Sequence, residues 1–226
     1  MKKILVLFCI LSSLNVFAKQ IIILSAALSR EHFEFRKQQY IKAFTQLKKF
    51  GCKNFYVVEA LAKRGPTFLD KHCKKVFYSQ ANDSTLRDKG LNEGITMLDG
   101  FRHFNFDPED MIIKLTGRYC LLSNYFLKLA RKKEKKFDAI VKMSGDYLHT
   151  QCFALRYKFF KEMLESFDYQ ALDRDHIIIE TAIGNYIMEK AKEGKIKVCF
   201  VGKLHVGVDL YGSTTNPTEE HYEVEH

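Results

Sequence analysis

The sequence predicts an α/β protein: a single domain with a mixed, mainly parallel central sheet flanked by helices. Three observations predict it. Short apolar runs rich in branched residues recur along the chain, as buried strands require. Between them lie segments whose apolar residues keep helical spacing. The two kinds alternate through the first two-thirds of the chain, the order expected when helices cross over between parallel strands. A length of 226 residues with 46% hydrophobic residues suits one folded domain. Nineteen Phe and 11 Tyr supply a core and exclude wholesale disorder. Only 3 Pro and 12 Gly exclude a collagen-like or low-complexity chain.

Each element follows from its residues. Gln20-Ile-Ile-Ile-Leu-Ser-Ala-Ala27 is short, branched and continuous, a buried strand. Arg30 to Phe50 reads as a helix with Phe33, Phe44 and Leu47 toward one side, stopped by Gly51. Asn54 to Glu59 and Lys75 to Ser79 are the second and third strands. Leu91, Ile95, Leu98 and Phe101 are spaced four, three and three apart, an amphipathic helix face. Asp107-Pro-Glu-Asp110 is a turn, and Met111 to Leu115 the next strand. Asn124 to Lys133 forms a helix that enters the basic run Lys128 to Lys136. Phe137 to Met143 and Gln151 to Leu155 are strands, Tyr157 to Phe167 and Ile177 to Ala191 helices, and Lys195 to Val201 the last clear strand. From Gly212 the chain is polar and acidic, and a flexible tail over 212–226 is expected after a domain over 19–211.

The first eighteen residues have the layout of a secretory signal peptide. A basic Met1-Lys-Lys3 start precedes an apolar run from Ile4 to Leu11, and Val16-Phe-Ala18 suits cleavage after Ala18. Cleavage would place the domain outside the cytosol, in a periplasm, a lumen or the medium. Left uncleaved, the same segment would be a membrane anchor. Removing it leaves 208 residues with a formal charge of +7, against +9 for the whole chain. It also leaves five cysteines, Cys52, Cys73, Cys120, Cys152 and Cys199. They show no C-x-x-C pair. Either one pair bridges, Cys52 with Cys73 for instance, or all are small buried hydrophobes. A positive surplus admits nucleic acid, a phosphorylated small molecule or a membrane surface as partner. The run Arg131 to Lys136 carries no base-stacking motif and reads as a solvated helix end, which ranks nucleic acid last.

In open α/β sheets ligands bind outside the carboxyl ends of the strands. The richest such segment is Thr116-Gly117-Arg118-Tyr119, after the strand from Met111. Gly117 permits a sharp turn or a close approach. Arg118 offers a rigid fork of donors for phosphate or carboxylate, and Tyr119 a face for a base or sugar. From these residues alone, a binding edge and a plain turn whose Arg pairs with a carboxylate stand level.

The stretch Asn82 to Leu122 resembles the nucleotide-sugar half of GT-A glycosyltransferases, in particular small bacterial and viral glycosyltransferase-like proteins with a K-L-T-G-R-Y segment, here Lys114 to Tyr119. Leu86 to Gly94 resembles the loop and helix that run alongside the nucleotide in that family. Weaker similarity extends to 151–157 and 179–184. The resemblance implies a GT-A-like fold and transfer of a sugar from a nucleotide-sugar donor to a glycan, lipid or protein acceptor. It implies donor binding by Lys89, Asn92, Lys114, Thr116, Gly117, Arg118 and Tyr119. The sequence departs from the family in one place. Thr116-Gly117-Arg118 stands where GT-A enzymes usually have an Asp-x-Asp motif for a divalent metal. Mg²⁺ or Mn²⁺ needs carboxylate oxygens, so no metal ligand and no cofactor are assigned. Two readings follow: a metal-independent transferase in which Arg118, Lys89 and Lys114 meet the donor's charge, or a secreted non-catalytic binding protein on a degenerate GT-A fold.

An inverting transferase also needs a carboxylate base. Glu180 lies early in a helix beside Ile177-Ile-Ile179, where it serves either as that base or as a favourable charge at the helix N-terminus. Asp146 in Ser144-Gly-Asp-Tyr147 is either a second candidate or a turn residue. His205 is expected to be a surface or core histidine.

Overall fold

A computed structural model describes residues 19–28, 33–62, 64–209 and 222–224. The expected signal peptide, over 1–18, lies outside the described residues. The chain begins on β1 (Gln20–Ala26) and continues through α1 (Phe33–Lys49), β2 (Tyr56–Glu59), α2 (Phe68–His72), β3 (Val76–Tyr78) and α3 (Lys89–Phe104). Next come β4 (Met111–Thr116), β5 (Cys120–Leu121), α4 (Tyr125–Lys133), β6 (Ala139–Val141), β7 (Met143–Ser144), β8 (Tyr147–Leu148) and β9 (Cys152–Arg156). It ends with α5 (Tyr157–Ser166), α6 (Tyr169–Arg174), α7 (Ile179–Lys192), β10 (Val198–Phe200), β11 (Val206–Asp209) and β12 (Tyr222–Val224).

Seven strands form the central sheet in the order β10-β6-β9-β4-β1-β2-β3. β3, β2, β1 and β4 are parallel neighbours, and β10 is parallel to β6. β9 runs antiparallel between β4 and β6. The predicted mixed, mainly parallel sheet is therefore the observed one. β1 reads as an unbroken apolar run because strands pair on both its edges and helices cover both its faces.

Strand alternation divides the core in two. On one face Ile23, Val58, Ile112 and Phe153 meet Leu91 and Phe101 of α3, Phe160 of α5 and Ile187 of α7. On the other, Leu24, Val57, Leu115 and Ala154 meet Tyr40, Phe44 and Leu47 of α1 and Phe126 of α4. Phe44 and Leu47 are fully buried as predicted, whereas Phe33, at the first turn of α1, is exposed.

Several elements go beyond the sequence reading. α2, α6, β5, β11 and β12, and the hairpin of β7 with β8, are two to six residues long, too short to show a period. The strand expected over 137–143 divides into β6 and β7 at Lys142. Within the segment 212–226, β12 pairs antiparallel with β11, which also pairs with β5. No disulfide joins Cys52 to Cys73. Both carry thiols, and the Cys73 thiol donates to the Phe55 carbonyl at 3.1 Å.

Candidate functional site

Because β1 to β4 are parallel, their carboxyl ends lie on one edge of the sheet and the segments that follow them converge. They enclose a cavity of about 550 Å³, within the usual size of a small-molecule site. Ser25 to Ala27 reach it from β1, Ala60 and Leu61 from β2, Asn82 to Ser84 from β3, and Thr116, Arg118 and Tyr119 from β4. The first turns of α3 add Lys89, Gly90, Asn92 and Glu93, α7 adds Glu180, and Arg36 enters from α1.

Gly117 fixes the β4 corner. Its N–H donates to the Ser25 carbonyl at 2.8 Å. A Cβ there would lie 2.5 Å from that oxygen and 2.7 Å from the Tyr40 ring. The close approach is thus to the protein's own β1 and α1. Gly117→Ala is expected to cost about 1–3 kcal/mol, as overpacking a tight core does. Urea unfolding read by circular dichroism checks this, and a midpoint equal to the parent's would contradict it.

Under the cavity floor lies a charged network. Lys114 shares the face of Ile112 and Thr116 and is only 3% exposed. Its ammonium stands 2.7 Å from Glu93 Oε1, and donates to Thr116 Oγ1 at 2.6 Å and the Thr150 carbonyl at 2.8 Å. The Ser25 hydroxyl donates to Glu93. Burial raises the Glu93 pKa, but the Lys114 charge, these hydrogen bonds and Arg118 together outweigh it and hold the carboxyl below its ordinary value. The Thr150 hydroxyl donates to Glu180 Oε1 at 2.9 Å. Glu93, Lys114, Thr150 and Glu180 therefore form one connected chain.

A second buried acid organises the β1 and β2 corners. Glu59 is fully buried, and its Oε1 accepts from the N–H groups of Leu28, Leu61 and Ala62 at 2.8–3.0 Å. Burial raises its pKa against the pull of those bonds. Above it, Arg36 donates to the Ala27 carbonyl at 2.7 Å. Burial, first, and the neighbouring Arg118 charge lower the Arg36 pKa, offset in part by Tyr40 and Glu59.

Six of the nine residues singled out from the sequence line this cavity: Lys89, Asn92, Thr116, Arg118, Tyr119 and Glu180. Their environments differ. The Asn92 side chain is spent on the Asp83 backbone, accepting from its N–H at 2.7 Å and donating to its carbonyl at 2.8 Å. Lys114 lies beneath the cavity with its charge matched by Glu93, which corrects its expected reach toward a donor. Asp146 does not line the cavity. It is exposed on the turn between β7 and β8, where its carbonyl would stand 2.1 Å from a Cβ on Gly184 of α7. His205 is half-buried, with its ring 4.9 Å from that of Tyr125. Among the described residues no group of three or more His, Cys, Asp or Glu is placed to hold a metal ion.

The sequence reading missed Arg36, Glu93 and Thr150. Ser25, near the carboxyl end of β1, carried a usable signal, whereas Thr150 precedes the amino end of β9. Arg36 carried none, being one charge among several on a long helix.

The strand order and the strand-end cavity define a Rossmann-like, mixed and mainly parallel α/β sheet. Among solved structures the chain is similar to 4-diphosphocytidyl-2C-methyl-D-erythritol synthase of Anaerococcus prevotii, at 11% identity and a TM-score of 0.52, over 81% of this chain and 88% of that one. It is also similar to the bifunctional IspDF of Campylobacter jejuni, at 17% identity and a TM-score of 0.50 over 81% of this chain. The chain spans about half the length of that protein, 49%. Mouse xyloside xylosyltransferase 1 overlays at 12% identity and a TM-score of 0.48, over 81% of this chain and 85% of that one, too loosely to bear on function. At these identities the likeness shows the fold alone. No protein-family model matches the sequence, and no curated protein matches it.

Proposed function

We propose that the protein is a transferase that takes a nucleotide-sugar donor and passes its sugar to a hydroxyl of a glycan, lipid or protein acceptor, without a divalent metal. The observation that carries this reading is the cavity where four parallel strands and the N-terminus of α3 converge, with Arg36, Lys89 and Arg118 on its wall. A strand-end crevice of this kind is where such sheets take nucleotides, and helix N-termini favour phosphate. The residues do not fit a metal: the β4 edge offers Thr116 and Arg118 in place of carboxylates, and the cavity acid Glu93 is matched by Lys114.

In this reading the acceptor oxygen bonds to the anomeric carbon as the bond from that carbon to the diphosphate breaks. The nucleoside diphosphate leaves carrying the electron pair, and the acceptor proton passes to Glu180. Charge grows on the diphosphate in the transition state, so preorganised cations act most strongly there. Arg118 is the principal one. The Thr150 hydroxyl holds Glu180 Oε1, which leaves Oε2 for the acceptor.

The test is turnover of common nucleotide sugars by the full chain in EDTA and in Mn²⁺. Donor hydrolysis or transfer should survive EDTA, and Arg118→Ala should lower it by about 10²–10³-fold, the loss expected for one transition-state donor. Binding of nucleoside diphosphates without turnover of any donor would instead assign a non-catalytic binding protein. No binding at all would overturn the reading.

We further propose that residues 1–18 direct export and are removed after Ala18. A secretory lumen supplied with nucleotide sugars would reconcile export with this activity. Sequencing the N-terminus of the exported protein tests it: a start at Lys19 is expected, and an intact Met1 would contradict it.

A further inference from the structure

We propose that Arg36 and Arg118 form a two-guanidinium site for the diphosphate of the nucleotide, with Arg36 supplying the cation that a divalent metal supplies elsewhere. This rests on the nucleotide-sugar reading and adds to it a residue and a charge scheme.

The two arginines reach the cavity from different layers, Arg36 from α1 and Arg118 from the end of β4. Both are half-buried, where like charges repel more strongly than in water. The structure nevertheless holds both in place. Arg36 is anchored by the Ala27 carbonyl at 2.7 Å, and the backbone of Arg118 follows the tight Gly117 contact with Ser25 and Tyr40. Among the described residues no hydrogen bond or ion pair engages the Arg118 guanidinium; Glu93 feels its charge through space, and each acid of the cavity has its hydrogen bonds elsewhere. Asp83 is held by Thr85 and Gln170, Glu93 by Lys114 and Ser25, and Glu180 by Thr150. Glu59 acts on Arg36 through space, and its Oε1 already accepts three N–H groups. Two guanidiniums facing one cavity without a bound acid call for an anion with more than one charge. A diphosphate suits them, because each guanidinium fork can take two phosphate oxygens. A divalent cation set beside them would be repelled, and among the described residues no group of three or more His, Cys, Asp or Glu is placed to hold it.

The experiment is calorimetric titration of the full chain with UDP, GDP and inorganic pyrophosphate, each in EDTA and in Mn²⁺. Pyrophosphate and at least one nucleoside diphosphate should bind in EDTA. Arg36→Ala and Arg118→Ala should each weaken binding by about 10–100-fold, as losing one charged hydrogen-bonding partner does. Arg36→Lys keeps a charge and a donor for Ala27 but loses the fork, and should still weaken binding several-fold; it decides the matter if Arg36→Ala does not fold. An Arg36→Lys protein that binds as tightly as the parent would overturn the two-arginine site and leave the nucleotide-sugar reading standing; affinity that appears only with Mn²⁺ would overturn the site and the metal independence, and leave a metal-dependent nucleotide-sugar transferase. Failure of every nucleoside diphosphate in both buffers would overturn both.

Discussion

Glu180→Gln is expected to lower sugar transfer by about 10²–10⁴-fold, the contribution typical of a positioned general base. It should leave donor affinity within about twofold, since Gln keeps the size and one acceptor of the carboxylate while losing its basicity. The geometry makes this a sharp test. Glu180 lines the cavity from the first turn of α7, and Thr150 donates to it at 2.9 Å. The amide oxygen can still accept from Thr150, so the side chain should hold its place. Single-turnover transfer with calorimetric donor affinity separates the two effects. A fall in affinity with turnover per bound donor unchanged would make Glu180 a binding residue. Unchanged transfer would leave the cavity without its proposed base, since Asp146 lies outside it.

The second large effect falls on stability. Lys114→Met should destabilise the protein by about 3 kcal/mol, near the low end of the range for breaking a buried ion pair. The low end applies because the Glu93 side chain keeps 25% of its exposure and faces the cavity. Met fills much of the volume of Lys114 but strands the Glu93 carboxylate. The pH dependence gives the sign. In the parent protein Glu93 titrates below its ordinary value of 4.5. Its ionised form therefore contributes stability above that pH, and the contribution is lost as pH falls through the folded-state value. In Lys114→Met the largest lowering influence is gone, Ser25 and Arg118 still act, and the raising effect of burial remains. That variant should recover part of its deficit as pH falls toward 4, where the parent loses stability. Urea midpoints at pH 7 and near pH 4.5 check both signs. Adding Glu93→Gln to Lys114→Met should restore part of the loss, as coupled neighbours do. Equal deficits at both pH values would show that packing, and not the stranded charge, accounts for the effect.

Lys114 also shows why a strand is legible where the partners of its side chains are not. Met-Ile-Ile-Lys-Leu is apolar enough to be recognised as a strand, and Thr-Gly-Arg marks its end. Alternation places Lys114 on the face of Ile112, toward the core cluster of α3, α5 and α7. Its partner Glu93 comes from α3 and its carbonyl acceptor from Thr150, contacts at separations no local pattern encodes. The same holds for Arg36. Its helix was legible from periodicity, but only the crossing of α1 over β1 brings it to the cavity beside Arg118. Asp146 had two readings, a second candidate base or a turn residue after glycine, and the short β7 and β8 strands set it on an exposed turn.

Local physics was sufficient for the architecture. Branched apolar runs specify strands buried on both faces, amphipathic segments specify the helices that cover them, and their alternation specifies a mainly parallel sheet. A parallel sheet in turn brings the ends of its strands to one edge, which is why Arg118 and Tyr119 meet Ser25 and Ala60 at one cavity. Tertiary packing decided which charges remain available there. Lys114 and Glu93 neutralise each other beneath the floor, Asn92 is consumed by its own loop, and Arg36 joins Arg118 on the wall. Charge compensation acts through space between groups far apart in the chain, and it is settled only when the layers pack.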